Sequence, residues 1–124
     1  MPKRTKPKST AGKALLDVVI EAAEEKLALD IKVLDLAKGS PVWDQQIIMS
    51  AESKPQLTAI TDNISEKLIK AFPNFQFKHA QGHPDSGWII LDLGDIAVHV
   101  LLEDVRKQYS LEEIWEQPGV IFHY

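Results

Sequence analysis

The chain of 124 residues contains no cysteine, which excludes disulfides, thiolate metal sites, iron–sulfur clusters and a cysteine nucleophile. No apolar run reaches the roughly 18–20 residues that a membrane-spanning helix needs. A P-loop, a dinucleotide-binding glycine fingerprint and a Gly-x-Ser-x-Gly elbow are all missing. We therefore expect a soluble, cytoplasmic protein that has no cofactor, no catalytic residue and no membrane association.

Charge is unevenly distributed along the chain. Residues 1–13 carry five of the 14 basic residues and none of the 18 acidic ones, so the remainder is acidic. An acidic body suits a basic partner, and a basic arm suits a phosphate backbone. The alternative is that charge merely keeps the body soluble and that the arm is a disordered tail. We assign residues 1–12 to a basic, disordered arm, 13–117 to one folded domain and 118–124 to a C-terminal tail.

Hydrophobic periodicity predicts the elements of the domain. Apolar residues that recur every three or four positions indicate helices, and alternating or continuous apolar runs indicate strands. Capping boxes mark helix starts, while proline and glycine mark stops and turns. In chain order we predict a helix from Lys13, strands at 31–36 and 47–49, a helix from the Ser53–Gln56 capping box to Pro73, a strand at 75–77, a β-hairpin over 87–101 that turns at Leu93-Gly94, and a helix from the Ser110–Glu113 capping box. This order, α-β-β-α-β-β-β-α, predicts a single α/β domain with helices flanking a mixed sheet of about five strands.

The histidines and carboxylates of the chain are candidates for metal or acid–base sites. His79 and His83, with Asp85 nearby, lie in a segment that we predict to be a loop, not on one helical face as a zinc-binding pair would need. Asp92 and Asp95 flank the turn of the hairpin, where carboxylates typically bond to their own backbone. We therefore predict no metal site.

An enzymatic alternative rests on Gly39-Ser40 ahead of Asp44. This arrangement is similar to the Gly-Ser…Asp-x-Asp motif of nucleotidyltransferases, in which two aspartates hold Mg²⁺. Gln46 stands where the second aspartate would fall, and a neutral amide is a weak ligand for Mg²⁺. A diverged nucleotidyltransferase that uses Asp44 with Asp92 or Asp95 stays open as an alternative. A homodimeric interaction protein that pairs through an exposed sheet edge is another.

Aromatic residues favour a protein-binding function. Trp88 opens a strand beside a glycine-rich loop, and Tyr109 and Trp115 cluster near the C-terminus. Trp and Tyr near a loop edge are favoured anchors at protein–protein interfaces, although single aromatic residues are more often part of the core. His99 lies mid-strand among apolar neighbours, where a structural histidine or a surface contact is favoured over a metal ligand.

Several segments resemble a known family. The hairpin sequence GWIILDLGDIAVHV over 87–100 and the later YSLEEIW over 109–115 are similar to two motifs of the ribosomal silencing factor family, also called RsfS or Iojap. The opening ALLD over 14–17 and DIKVLDL over 30–36 are similar as well. The resemblance covers residues 13–116 in order, and the agreement of several motifs makes it specific.

The resemblance implies a fold like that of nucleotidyltransferases without their metal-binding acids, and a non-enzymatic function. Family members bind ribosomal protein uL14 on the inter-subunit face of the large ribosomal subunit. There they sterically block joining of the small subunit and repress translation, and off the ribosome they are often homodimers. For this chain the resemblance implies a partner site anchored by Trp88 with Ile89 beside it, and with Asp92, His99 and Tyr109 as further contacts. The basic arm is a candidate rRNA contact.

One segment departs from the family pattern. Ser50-Ala51 replaces a Thr-Gly pair, and Gln46 replaces an aromatic or apolar residue. Loss of the glycine predicts a different turn before the second helix. We expect this change to affect partner contacts of the loop rather than the fold.

Overall fold

The polypeptide is built around one mixed β-sheet. A computed structural model describes residues 10–35, 45–74, 79–109 and 120–123. Its elements are α1 Thr10–Glu25, β1 Leu29–Asp35, β2 Gln45–Ala51, α2 Lys54–Ala71, β3 His79–His83, a 3-10 turn Pro84–Ser86, β4 Trp88–Asp92, β5 Ile96–Leu102, α3 Glu103–Tyr109 and β6 Val120–His123. The strand order is β3-β4-β5-β2-β1-β6, and β2 and β5 are the pair that runs parallel.

The mixed α/β class is confirmed, but the described part of the sheet has six strands where we expected about five. The additional strand, β6, lies in the segment that we assigned to a C-terminal tail. It has four residues and pairs antiparallel with β1, placing Phe122 opposite Val33. So short a strand shows too little alternation to be recognised locally, and its partner lies near the other end of the chain.

Three other elements differ from the prediction. β3 occupies His79–His83, which we predicted to be a loop. The strand predicted at 75–77 lies outside the described residues and stays a prediction. β3 is an edge strand with exposed side chains from Ala80 to His83, so it shows no apolar alternation. The helix predicted from Ser110 lies outside the described residues. The helix that is described, α3, follows β5 directly, and α1 begins at Thr10, inside the predicted arm.

The sheet has two unequal faces. Helices α1 and α2 cover one face and form the main core with strand residues Ile31, Val33, Ile47, Met49, Ile89, Leu91, Val98 and Val100. On the opposite face, Leu34, Ile48 and Leu101 form a smaller cluster, against which Trp88 and Val105 pack. Residues 46–51 of β2 are all buried, which confirms the prediction of a strand covered on both faces.

The predicted capping box connects the two long helices. The Ser53 hydroxyl accepts a hydrogen bond from the Gln56 backbone N–H at 3.2 Å, so Ser53 is the N-cap of α2. The Gln56 side chain accepts from the Glu52 N–H at 2.6 Å and donates to the carbonyls of Lys26 and Leu27 at 3.0 Å. These carbonyls follow the last turn of α1, where helical partners are missing. Gln56 therefore joins the end of α1 to the start of α2.

Candidate partner surface

Strand β4 directs alternate side chains to opposite faces of the sheet. Ile89 and Leu91 belong to the core under α1 and α2, so Trp88, Ile90 and Asp92 lie on the other face. We name this side of the sheet the Trp88 face and define it by the β4 residues Trp88, Ile90 and Asp92, the β5 residues Ala97, His99 and Leu101, and the β2 residues Gln46 and Ile48. The β4 members are half-buried, whereas the others are buried, so β4 supplies the accessible part of the face.

The entry into β4 depends on a glycine. Gly87 has a φ of +78°, which favours glycine, and a Cβ there would lie 2.9 Å from Cγ2 of Val105 on α3. The Gly87 carbonyl accepts a hydrogen bond from the Leu102 N–H at 2.9 Å. This contact holds the start of β4 against the end of β5 and brings Trp88 next to α3.

Trp88 is linked to two polar residues of the same face. Its indole Nε1–H donates to Nδ1 of His99 at 3.2 Å, and the two ring centroids are 6.1 Å apart. The other ring nitrogen of His99, Nε2, lies 2.5 Å from Oε1 of Gln46. His99 is 3% exposed and Gln46 is fully buried. Burial lowers the pKa of His99 from 6.5 to about 4, so the ring is neutral at ordinary pH.

The other predicted site residues are Ile89, Asp92 and Tyr109. Ile89, predicted as a partner contact, is buried in the main core, because the neighbour of a residue on one face of a strand points to the opposite face. Asp92 lies on the Trp88 face, but its Oδ1 accepts from the Gly94 N–H at 3.0 Å, which confirms its expected turn-forming role. Tyr109 is the last residue of α3, and its side chain lies outside the described part of the structure.

The described histidines and carboxylates do not gather around a common metal position. In residues 10–35, 45–74, 79–109 and 120–123, no three His, Asp or Glu side chains are placed to share a metal ion. His79 and His83 stand at opposite ends of β3, about 13 Å apart along an extended strand. The Asp85 N–H donates to Nδ1 of His83 at 3.1 Å. Gly39, Ser40 and Asp44 lie outside the described residues.

The segment that departs from the family pattern is tied to α3. Ser50 is buried, and its hydroxyl accepts a hydrogen bond from Nη1 of Arg106 at 2.8 Å. Ala51 ends β2 without a positive φ, so its position needs no glycine. Sequence reasoning missed the contacts of Gln46 and Arg106, because both depend on the pairing of β2 with β5 and on the position of α3.

Long apolar helices are missing from the described part of the chain. Neither α1, α2 nor α3 is both long and apolar enough to cross a membrane.

The described geometry defines an α/β domain with two long helices on one face of its sheet and a linked tryptophan and histidine on the other. Residues 8–121 match the family model described as ribosomal silencing factor during starvation, and the chain belongs to that family.

Individual relatives agree with the family match. Ribosomal silencing factor RsfS of Zymomonas mobilis is 35% identical over 101 residues, which cover 82% of this chain and 74% of the relative. The protein of the same name from Bacillus subtilis is 34% identical over 103 residues, covering 83% and 86%. A crystal structure of a Chromobacterium violaceum protein superposes with a TM-score of 0.78 at 28% identity, covering 89% of this chain and 92% of that one.

Proposed function

We propose that this protein silences ribosomes by binding ribosomal protein uL14 on the inter-subunit face of the large subunit. Bound there, it sterically blocks joining of the small subunit and represses translation. The mechanism needs affinity and bulk and uses no reactive group. The single observation that carries the proposal is the half-buried Trp88, which lies with Ile90 and Asp92 on the accessible part of the Trp88 face.

The chemistry of this strip suits a protein partner. A large indole that is partly exposed and fixed by a hydrogen bond offers apolar contact area at little entropic cost, as interface anchors do. The net charge of −4, with the acidic residues confined to the part of the chain after residue 13, complements a basic ribosomal protein. Membership of the ribosomal silencing factor family supports the same assignment.

Co-sedimentation with isolated ribosomal subunits tests the proposal. We expect the unaltered chain to pellet with the large subunit alone and to reduce the joining of added small subunits. Trp88→Ala is expected to weaken binding by about 2 kcal/mol, roughly 30-fold. Ile69→Ala is a matched control, because Ile69 is an exposed apolar residue of α2, outside the Trp88 face. Unchanged binding by a folded Trp88→Ala protein would remove this face from the interface.

The basic arm adds a second, electrostatic contact in this proposal. Residues 1–9 precede α1 and include four of the basic side chains, which suit the phosphates of rRNA. Deleting these residues is expected to make large-subunit binding less sensitive to salt, because fewer counterions are released. An identical salt dependence would limit the interface to the folded body. The family resemblance also implies a homodimer off the ribosome, and sedimentation velocity of the free protein tests it.

A further inference from the structure

We propose that Gln46 is a positioning residue for Trp88, which it holds through His99. The two hydrogen bonds that link Trp88 to His99 and His99 to Gln46 are called the relay below. The effect of the relay on partner binding rests on the proposed function, whereas the relay itself does not.

The relay crosses three adjacent strands. In the register of the sheet, Gln46 of β2 is paired with Ala97 of β5, and Trp88 of β4 is paired with Leu101 of β5. His99 lies midway between these two partners on β5 and faces the same side of the sheet. The three polar groups therefore follow one diagonal from the half-buried indole to the buried centre of the sheet.

The direction of the relay follows from donor chemistry. An indole nitrogen can only donate, so Nδ1 of His99 must accept the hydrogen bond from Trp88. In a neutral imidazole the other nitrogen then carries the proton, so Nε2–H of His99 donates to Oε1 of Gln46. Trp88 thus sets the direction of the relay, and Gln46 accepts the hydrogen bond from the buried ring N–H of His99.

The Gln46 amide takes part in the relay through its oxygen. Its nitrogen, Nε2, is the one buried side-chain nitrogen or oxygen in the described ranges that has no hydrogen-bond partner. A buried amide nitrogen without a partner is unfavourable relative to an apolar side chain of similar size. The oxygen offsets this cost by fixing the His99 ring, and the fixed ring presents Nδ1 to the indole.

The NMR signals of the two rings test the relay without any ribosome. In the unaltered chain, ¹⁵N shifts must show His99 neutral with the proton on Nε2; a ring protonated on Nδ1 would overturn the proposal even if no variant folds. Gln46→Met removes the acceptor at nearly constant volume, and we expect the His99 shifts to change and the Trp88 indole N–H to exchange with solvent faster. Ile47→Val is the matched control, because it makes a small packing change on the same strand but in the main core on the opposite face, and it should leave both signals in place.

Co-sedimentation tests the consequence for binding. We expect Gln46→Met to weaken large-subunit binding by about 3- to 10-fold, the scale of one hydrogen bond, and Ile47→Val to bind normally. Altered ring signals with unchanged binding would overturn the positioning role, provided that Trp88→Ala weakens binding as expected. If the unaltered chain does not bind, the proposed function fails together with this consequence, while the ring signals still decide the relay.

Discussion

Asn63 on α2 donates a hydrogen bond from its side-chain amide to the carbonyl of Ala22 on α1 at 2.9 Å. The same nitrogen donates to a carboxylate oxygen of Glu25 at 2.9 Å, and Nζ of Lys67 lies 3.3 Å from that carboxylate. The bond from Asn63, followed by that from Lys67, lowers the pKa of Glu25. Asn63 is buried, so it ties the two helices together where the last carbonyls of α1 lack helical partners.

Asn63→Ala is expected to lower the free energy of unfolding by about 2 kcal/mol, because it removes two donated hydrogen bonds and leaves the Ala22 carbonyl without its donor. Urea titration should show a lower midpoint at an unchanged slope. Lys67→Ala is the control, since it removes only a partly exposed ion pair and should cost less than about 1 kcal/mol. Equal losses of unfolding free energy in the two variants would show that the Asn63 hydrogen bonds contribute no more than the surface ion pair.

Acidification is expected to destabilise the protein through His99. Burial lowers its pKa to about 4 in the folded protein, against 6.5 when the ring is in water, so the unfolded chain takes up a proton first. The stability that neutral His99 provides is fully present above about pH 6.5 and is lost as the pH falls towards about 4, by roughly 3 kcal/mol. Urea unfolding at several pH values measures this loss.

His99→Gln is the control for this pH dependence, because it cannot titrate. Its free energy of unfolding should fall less than that of the parent over the same range. If the two curves run parallel between pH 7 and pH 4, His99 is not the group responsible.

Arg106 joins α3 to two strand ends. The side chain is 6% exposed, and Nη1 donates to the Ser50 hydroxyl and to the Asp30 carbonyl, both at 2.8 Å. The second guanidinium nitrogen, Nη2, lies 3.6 Å from the Asp30 carboxylate. Arg106→Lys is expected to lower the free energy of unfolding by about 2 kcal/mol, because one ammonium group cannot occupy the positions of both nitrogens. The loss should be measured by urea denaturation.

A double-mutant cycle separates this contact from other effects of the substitution. Ser50→Ala alone should cost about 1 kcal/mol, and in the Arg106→Lys background it should cost clearly less, because the partner is already lost. Strictly additive losses would show that Arg106 and Ser50 do not stabilise each other.

Local signals explain which elements could be predicted from the sequence. Residues within a few positions determine the start of α2 at the Ser53 cap, its end before Pro73 and the hairpin around Gly94. The edge strands β3 and β6 have no such signal. β3 is exposed and polar, β6 is very short, and each is defined by pairing with another strand.

The candidate site could likewise be predicted only where the signal is local. Residue type and the family motifs indicated Trp88 and His99, and strand alternation accounts for the burial of Ile89 once Trp88 is assigned to the opposite face. The link from His99 to Gln46 depends on the parallel register of β2 and β5, which no local pattern contains. The sequence therefore showed Gln46 only as a departure from the family pattern, and its contact with His99 could not be predicted.

Leu27 occupies a position that favours glycine. It has a φ of +63° just after α1, where the Leu27 N–H bonds to the Glu24 carbonyl and the Ala28 N–H bonds to the Ala23 carbonyl, as in a Schellman motif. Its side chain is 73% exposed, so little packing depends on it. Leu27→Gly is expected to raise the free energy of unfolding by about 0.5–1 kcal/mol, because glycine adopts this conformation without steric cost. Leu27→Ala keeps a Cβ and should give no such gain, so equal urea midpoints for the two variants would show that the backbone at Leu27 is not strained.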